Sequence, residues 1–296
     1  MCEVGSRVPP DPHRQVSEMN HCLKVCTVVL VVVAFIPTSL YSQSPAAAEL
    51  NLGVQAYRQA SYEEAAQHFE KAMAMAPENS VAHLYLATAY AGQYLPGVDT
   101  PENSRVAEKA IEQYQRVLDS DTVRSSRINS AKGIAYLYLN MKKFEDSKKY
   151  YEMASGLDPD DPEPYYSIGV IDWVESYQPR VEERAKLGMK PAESLDAKNK
   201  DQKKICDELK AKNTSNIEEG IESLGKAIEL RPDYDDAMAY MNLMYREKGD
   251  LECDDLAARS EDLKTADEWV DKTLAVKKAK ANKNSRQTTS TVQNPQ

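Results

Sequence analysis

Few side chains in this sequence carry the chemistry of a catalytic or metal site. Beyond residue 42, His68 and His83 are the only histidines. Neither has a Cys, His or Asp neighbour at the spacing of metal ligands. No serine lies in a glycine-flanked nucleophile turn, and no glycine-rich phosphate loop is present. The sequence therefore predicts no metal site and no bound cofactor, and it favours a protein without catalytic activity.

Adjacent aspartates occur at three places, and paired carboxylates can act together as general acid and base. The pairs are Asp160–Asp161, Asp235–Asp236 and Asp254–Asp255. Each pair lies near the boundary of a repeated unit or an insertion, where acidic side chains commonly cap helix N-termini. We interpret them as helix caps.

A helical segment is repeated three times between residues 62 and 232. The copies are Tyr62–Pro77, Phe144–Pro159 and Ile217–Pro232. In each copy a small residue is followed by a larger one four positions on, by alanine three further and by proline five beyond that. In the order of the copies, these residues are Ala65, Phe69, Ala72 and Pro77; Ser147, Tyr151, Ala154 and Pro159; and Gly220, Leu224, Ala227 and Pro232. Another helical segment with its own small residue precedes each copy.

This arrangement resembles the tetratricopeptide repeat, whose unit of about 34 residues pairs two helices and ends in proline. The resemblance implies an all-α fold, a right-handed superhelical solenoid of antiparallel helix pairs. It covers about five units at residues 46–278, with insertions near 93–105, 176–216 and 252–265. Thr122 replaces the expected proline in the second unit. The small residues are expected to let paired helices approach closely while the larger residue fills the gap.

The resemblance also implies that the first helix of each pair lines a concave groove for peptides or extended protein segments. An aromatic groove favours apolar or proline-containing segments. The family's set of Lys, Asn and Arg that grips a terminal carboxylate is not matched here. The candidate groove residues are Tyr57, Arg58, Leu84, Tyr136, Asn140, Tyr166, Trp173, Tyr240 and Arg246. The alternative, which the sequence leaves open, is that about half of these tyrosines pack between adjacent helices.

The first 42 residues, here called the leader, have the features of a secretory signal peptide. An apolar run, Val25–Ile36, is followed by Pro37 and a polar stretch, and it is short for a membrane span. Met19 lies closer to this run than Met1 and is a second candidate for the start of the chain. We expect export to the periplasm or the cell exterior. The alternative is an uncleaved leader that anchors the protein in the inner membrane and leaves the rest facing the periplasm.

Charge divides the sequence into an acidic body and a basic tail. The net charge of −10 argues against a nucleic-acid partner. Residues 279–296 are basic and polar and carry no acidic residue, a composition typical of disorder. The sequence therefore predicts a disordered tail and a partner that is a protein or a peptide.

The insertion at 176–216 has two interpretations, a lid over the groove or a solvated loop. It contains Cys206, and an oxidising compartment would permit a disulfide between Cys206 and Cys253, but the sequence leaves this pairing open. The function that we expect is a non-catalytic scaffold, exported to the cell envelope, that binds protein segments in its groove. The alternatives are a membrane-anchored envelope assembly factor, or an enzyme or carrier that uses the insertion.

Overall fold

A computed structural model describes residues 44–191 and 193–292. Within these ranges the chain forms ten α-helices and no strand, which confirms the predicted all-α fold. The leader lies outside the described residues. The helices are α1 (Pro45–Arg58), α2 (Tyr62–Met75), α3 (Ser80–Gln93), α4 (Pro101–Ser120), α5 (Arg124–Asn140), α6 (Phe144–Leu157), α7 (Pro162–Lys186), α8 (Lys200–Leu230), α9 (Asp235–Leu251) and α10 (Leu256–Val292).

The helices pack in sequence as five pairs, which makes the described residues a helical solenoid. Each odd-numbered helix packs on the helix that follows it, and each even-numbered helix packs on the first helix of the next pair. First helices also contact one another, α1 with α3, α3 with α5, and α7 with α9. Such stacking buries the apolar face that a single helix pair leaves open. No helix within 44–191 or 193–292 has the length and hydropathy needed to cross a membrane.

Glycines on the first helices set the distance between helices. A Cβ atom at Gly53 would lie 2.4 Å from a ring carbon of Phe69, and one at Gly169 would lie 2.5 Å from Cγ of Leu224. Phe69 and Leu224 are the large residues of the repeated segment, and both are buried. The glycine of the first helix and the large residue of the second helix therefore lie on opposite sides of one contact. This contact explains why a small residue on one helix accompanies a large residue on the other.

Two of the three aspartate pairs cap helices, as predicted. Asp161 and Asp255 each accept, through Oδ1, the backbone N–H of the residue two positions on, at 3.0 Å. Asp235 is instead the first residue of α9, where a carboxylate interacts favourably with the helix dipole. It also accepts a hydrogen bond from Nζ of Lys280 at 2.6 Å.

The insertion at 176–216 is mostly helical and forms neither a lid nor a solvated loop. It extends α7 to Lys186 and starts α8 at Lys200, so that only residues 187–199 connect the two helices. We call these connecting residues the strap. Leu195 of the strap is 6% exposed and belongs to the hydrophobic core of the last two units. The inserted residues are therefore part of the packed solenoid.

Two predicted boundaries near the C-terminus are corrected by the structure. The closing helix of the fifth unit starts at Leu256, ten residues before the expected Ala266, because Asp255 caps it there. The same helix continues to Val292, through most of the tail that was expected to be disordered. Residues 256–292 contain no glycine or proline, the two residues least compatible with a helix interior.

We expect Gly169→Ala to lower the free energy of unfolding by about 1–3 kcal/mol, the usual cost of overpacking a core. The added methyl group would meet both Leu224 and the backbone carbonyl of Gly220, at 3.2 Å. Gly156→Ala is the matched control, because nothing lies within 4 Å of a Cβ atom there. This control should be neutral or stabilising by up to about 1 kcal/mol. Chemical denaturation measures both, and equal effects of the two changes would contradict the close-approach interpretation.

Candidate functional site

A pocket of about 520 Å³ lies among the first three units. We call it the N-terminal pocket. The first helices α1, α3 and α5 provide most of its wall, and α2 and α4 provide one residue each. The lining residues are Val54, Tyr57, Arg58, Phe69, Leu84, Tyr85, Thr88, Tyr114 and Asn129. Its volume lies within the range of about 300–1,000 Å³ that is usual for ligand sites.

Aromatic rings form the floor and sides of this pocket. Phe69 is 1% exposed, because Gly53 leaves room for its ring, and its centroid lies 5.6 Å from that of Tyr85. Tyr114 is also buried, and its hydroxyl donates to Oγ1 of Thr88 at 3.4 Å. Burial raises the pKa of both Tyr57 and Tyr114. The phenols therefore stay neutral at physiological pH, and the wall is apolar with a few hydroxyl groups.

Arg58 is the one charged side chain among the described residues that line the pocket. It is exposed at the end of α1, and it forms no ion pair with any residue of the described chain. A guanidinium group beside an apolar wall suits a ligand that carries a carboxylate next to apolar groups. The pocket therefore favours apolar ligands with one negative charge.

The structure gathers three of the nine predicted groove residues, Tyr57, Arg58 and Leu84, in the N-terminal pocket. Tyr136 and Asn140 lie one turn apart on α5, outside its lining, where Nδ2 of Asn140 donates to the Tyr136 carbonyl at 2.8 Å. The remaining four lie in the last two units. Sequence reasoning missed Tyr85, Phe69, Tyr114, Val54 and Asn129 as lining residues.

The missed residues have different explanations. Tyr85 follows the predicted Leu84 on α3, so that widening the predicted helix face by one residue would have included it. Phe69 and Tyr114 belong to second helices, whereas the sequence predicted a groove lined by first helices. They reach the pocket because Gly53 and Gly133 leave space for their rings between the first helices. A Cβ atom at Gly53 would lie 2.4 Å from Phe69, and one at Gly133 would lie 2.5 Å from Tyr114.

Tyr166, Trp173 and Tyr240 pack together between α7 and α9, with Tyr234 and Tyr177 beside them. We call these five residues the aromatic cluster. The ring centroids of Tyr166 and Tyr240 are 5.8 Å apart, and those of Trp173 and Tyr240 are 5.5 Å apart, both edge to face. Burial raises the pKa of Tyr166 above its ordinary range. Part of the surface of each ring therefore packs against another ring of the same chain.

The ninth predicted groove residue, Arg246, is exposed and donates to Oδ1 of Asp267 at 2.7 Å. Its charge is therefore paired within the chain, unlike that of Arg58.

A buried ion cluster joins the third unit to the fourth. Nζ of Lys148 on α6 donates to Asp172 on α7 and to Glu219 on α8, both at 2.7 Å. The Asp172 side chain is fully buried, and burial raises its pKa to about 7 although Lys148 opposes the shift. A hydrophobic cluster of four buried residues, Ala135, Tyr151, Ile168 and Ile171, lies at the same junction. The ion cluster thus belongs to the contact between units.

Buried arginines hold the strap in place. Nε and Nη2 of Arg180 donate to the two carboxylate oxygens of Glu247 at 2.6 and 2.8 Å. Arg180 and Arg184 both donate through Nη1 to the carbonyl of Pro191, at 2.8 and 2.9 Å. Asp250 lies 3.1 Å from Arg180 and 3.3 Å from Arg184. Since a buried charge is tolerated only when it is paired, this network fixes the strap to α7 and α9.

A disulfide joins Cys206 of α8 to Cys253, which follows α9, with the Cα atoms 6.5 Å apart. This answers the pairing question that the sequence left open. The insertion's one cysteine is thus committed to a structural bond. Its two buried arginines are likewise paired.

We expect Tyr166→Ala combined with Trp173→Ala to lower the thermal midpoint by several degrees. Loss of the two rings would leave a cavity in the aromatic cluster, and such truncations cost about 3–5 kcal/mol each when the ring is fully buried. Circular dichroism measures the midpoint. If these rings instead form a binding surface, the midpoint will hold and the affinity for a partner will fall by at least about tenfold, or 1.4 kcal/mol.

Comparisons with known proteins bear on the fold. Residues 133–161, which fall in the third unit, match the family model for the tetratricopeptide repeat. The crystal structure of MamA protein superposes with a TM-score of 0.51 at 15% identity, over 80% of this chain and 94% of that one. The structure of MamA from residue 41 to the end, from Desulfovibrio magneticus RS-1, gives 0.50 at 16% identity, over 79% and 96%. No curated protein matches the sequence.

At these identities, the likeness to MamA concerns the fold alone. The family model covers one unit, and in the first and fourth units a glycine of the first helix lies opposite the large residue of the second helix. The third unit matches the tetratricopeptide-repeat model, and the described residues share the solenoid fold of that type with MamA.

Proposed function

We propose that this protein is a non-catalytic scaffold that binds a protein segment in the N-terminal pocket and works outside the cytoplasm. The observation that carries the binding proposal is the pocket itself. It combines an aromatic wall drawn from four successive helices with one cation, Arg58, that forms no ion pair among the described residues. The segment that fits has apolar side chains with a carboxylate close to them.

The aromatic wall supports a peptide ligand over a small metabolite. Pockets for metabolites place several polar groups at fixed positions around the ligand. In the N-terminal pocket, by contrast, the Thr88 hydroxyl donates a hydrogen bond to the Leu84 carbonyl and accepts one from the Tyr114 hydroxyl. Most of its hydrogen-bonding capacity is therefore used within the chain. What is left for a ligand is ring surface, the amide of Asn129 and the guanidinium of Arg58. Aromatic and arginine side chains are the residues that most often dominate protein binding sites.

The disulfide supports the export proposal, because disulfides persist in oxidising compartments and are rare in the cytosol. The leader, with its signal-peptide features, supports the same location. An uncleaved leader would make the protein a membrane-anchored assembly factor with the same pocket. An enzyme or carrier that uses the insertion is a weaker proposal, since Cys206 is bonded and the buried Arg180 and Arg184 are paired with acids.

Selection from a random peptide library tests the binding proposal. We expect the selected peptides to carry an acidic residue beside apolar ones. Arg58→Ala should weaken binding of such a peptide by about tenfold, the size of a lost charge-assisted contact. It should leave the affinity of the Asp→Asn version of the peptide unchanged. Tyr85→Ala should weaken both peptides.

Met75→Ala serves as the control, because Met75 is 54% exposed and lies outside the pocket lining. Equal helicity of all variants is required. Peptides that bind all four proteins equally well would place recognition elsewhere and refute the pocket as the binding site.

Cell fractionation tests the export proposal. We expect the protein in the fraction outside the cytoplasm, with an N-terminus near residue 43 and with Cys206 and Cys253 protected from alkylation until a reductant is added. A protein that retains Val25–Ile36 in the membrane would favour the anchored alternative. A cytoplasmic protein with both thiols free would contradict export in either form.

A further inference from the structure

The loop that joins α3 to α4, residues 94–100, is a preformed turn. We call it the turn loop. The N–H of Val98 donates to the carbonyl of Leu95 at 3.2 Å, and Gly97 between them has φ of +80°. Pro96 precedes this glycine, which gives the proline–glycine order of a type II β-turn. The insertion that the sequence placed near 93–105 is thus a defined structure.

A single buried side chain holds the turn loop to α4. Asn103 is 8% exposed, and its Oδ1 accepts the N–H of Leu95 at 2.8 Å. Its Nδ2 donates to the carbonyls of Leu95 and Val98 at 2.8 and 2.7 Å. Three hydrogen bonds from one asparagine fix both ends of the turn. A loop fixed in this way loses little conformational entropy when it binds.

The turn loop presents apolar side chains to solvent together with one acidic group. Leu95 is 58% exposed and Val98 is 44% exposed. Asp99 follows directly, is exposed, and forms no ion pair within the described residues. A rigid segment that displays two aliphatic side chains beside a carboxylate has the chemistry that the N-terminal pocket favours.

We propose that the turn loop of one copy of this chain docks in the N-terminal pocket of a second copy. Leu95 and Val98 lie against the aromatic wall, and Asp99 pairs with Arg58. This deepens the proposed function and rests on it, since the same pocket is the binding site. Neither Arg58 nor Asp99 forms an ion pair among the described residues of one chain, and both belong to apolar surfaces that are open to solvent.

The turn loop is held away from the pocket of its own chain. The pocket uses Leu84, Tyr85 and Thr88 in the middle of α3, and the loop begins beyond Gln93, the last residue of that helix. Six residues of helix place the loop about 9 Å along the axis from Thr88, and Asn103 holds it on α4. Docking therefore requires a second molecule. Since loop and pocket are different surfaces, each copy can be donor and acceptor at once, and the contact runs head to tail.

Sedimentation velocity of the full chain, purified from cells that express it, tests the proposal. A loop-in-pocket contact is small, so association should be weak and should develop between about 1 µM and 1 mM. Arg58→Asp or Asp99→Arg alone should weaken association by at least about tenfold, because each places like charges together. Lys71→Asp is the charge-matched control, since Lys71 is exposed on α2 outside the pocket, and it should associate as the parent does.

Mixing the two charge variants gives the decisive measurement. The Arg58→Asp protein offers an acidic pocket, and the Asp99→Arg protein offers a basic loop. An equimolar mixture should therefore associate although neither protein does so alone. The double variant, which carries both changes in one chain, should also recover association. Leu95→Ser with Val98→Ser should abolish association in every combination.

The outcomes separate this proposal from the binding of other segments. A parent chain that stays monomeric over the whole range, or association that the loop and pocket variants leave intact, overturns docking between copies. In that case the peptide selection still decides the role of the pocket. Association that depends on loop and pocket, with no peptide selected by the pocket, would support docking between copies and refute recognition of foreign segments.

Discussion

The close approach of first helices to second helices at glycine is the constraint on which the rest of the structure depends. Gly53, Gly133 and Gly169 each lie where an added Cβ atom would come within 2.6 Å of a side chain on a second helix. A large residue on that helix fills the space, and in the first two cases it is an aromatic ring. The same contact therefore fixes helix spacing and brings Phe69 and Tyr114 through to the N-terminal pocket.

The two halves of the solenoid use their aromatic residues differently. In the first three units the rings of Tyr57, Tyr85 and Tyr114 surround open space. In the last two, the aromatic cluster fills the equivalent space between α7 and α9 with rings of the same chain. Lengthened helices, paired arginines and a disulfide add further internal contacts there. The N-terminal half thus keeps an open pocket, whereas the C-terminal half is filled by contacts within the chain.

The sequence predicted the helix pairs because their residue sizes follow a repeated pattern, and in the first and fourth units this pattern reflects a contact between a glycine and a large residue. It also placed Tyr57, Arg58 and Leu84 on one side of the first helices, where they line the N-terminal pocket, since helical register alone decides that. Register does not say whether Tyr166 faces solvent or Tyr240, because this depends on a residue about 70 positions away. The path of the insertion could not be predicted from the sequence either, because Arg180, Glu247 and the Pro191 carbonyl come into contact only in the folded chain. Composition suggested a disordered tail, whereas α10 continues to Val292 and Lys280 of that helix pairs with Asp235.

The disulfide also determines how the protein responds to force. Cys206 and Cys253 are 47 positions apart, and the residues between them include much of α8 and all of α9. If the chain is pulled by its two ends, tension passes through the sulfur–sulfur bond and bypasses this segment. The three N-terminal units can unravel one helix after another, yet the bonded segment cannot extend. An oxidised molecule is therefore shorter at full extension than a reduced one by about 160 Å, the contour length of the bypassed residues. Under load, the three N-terminal units can extend fully, whereas the C-terminal half retains a segment that the disulfide closes.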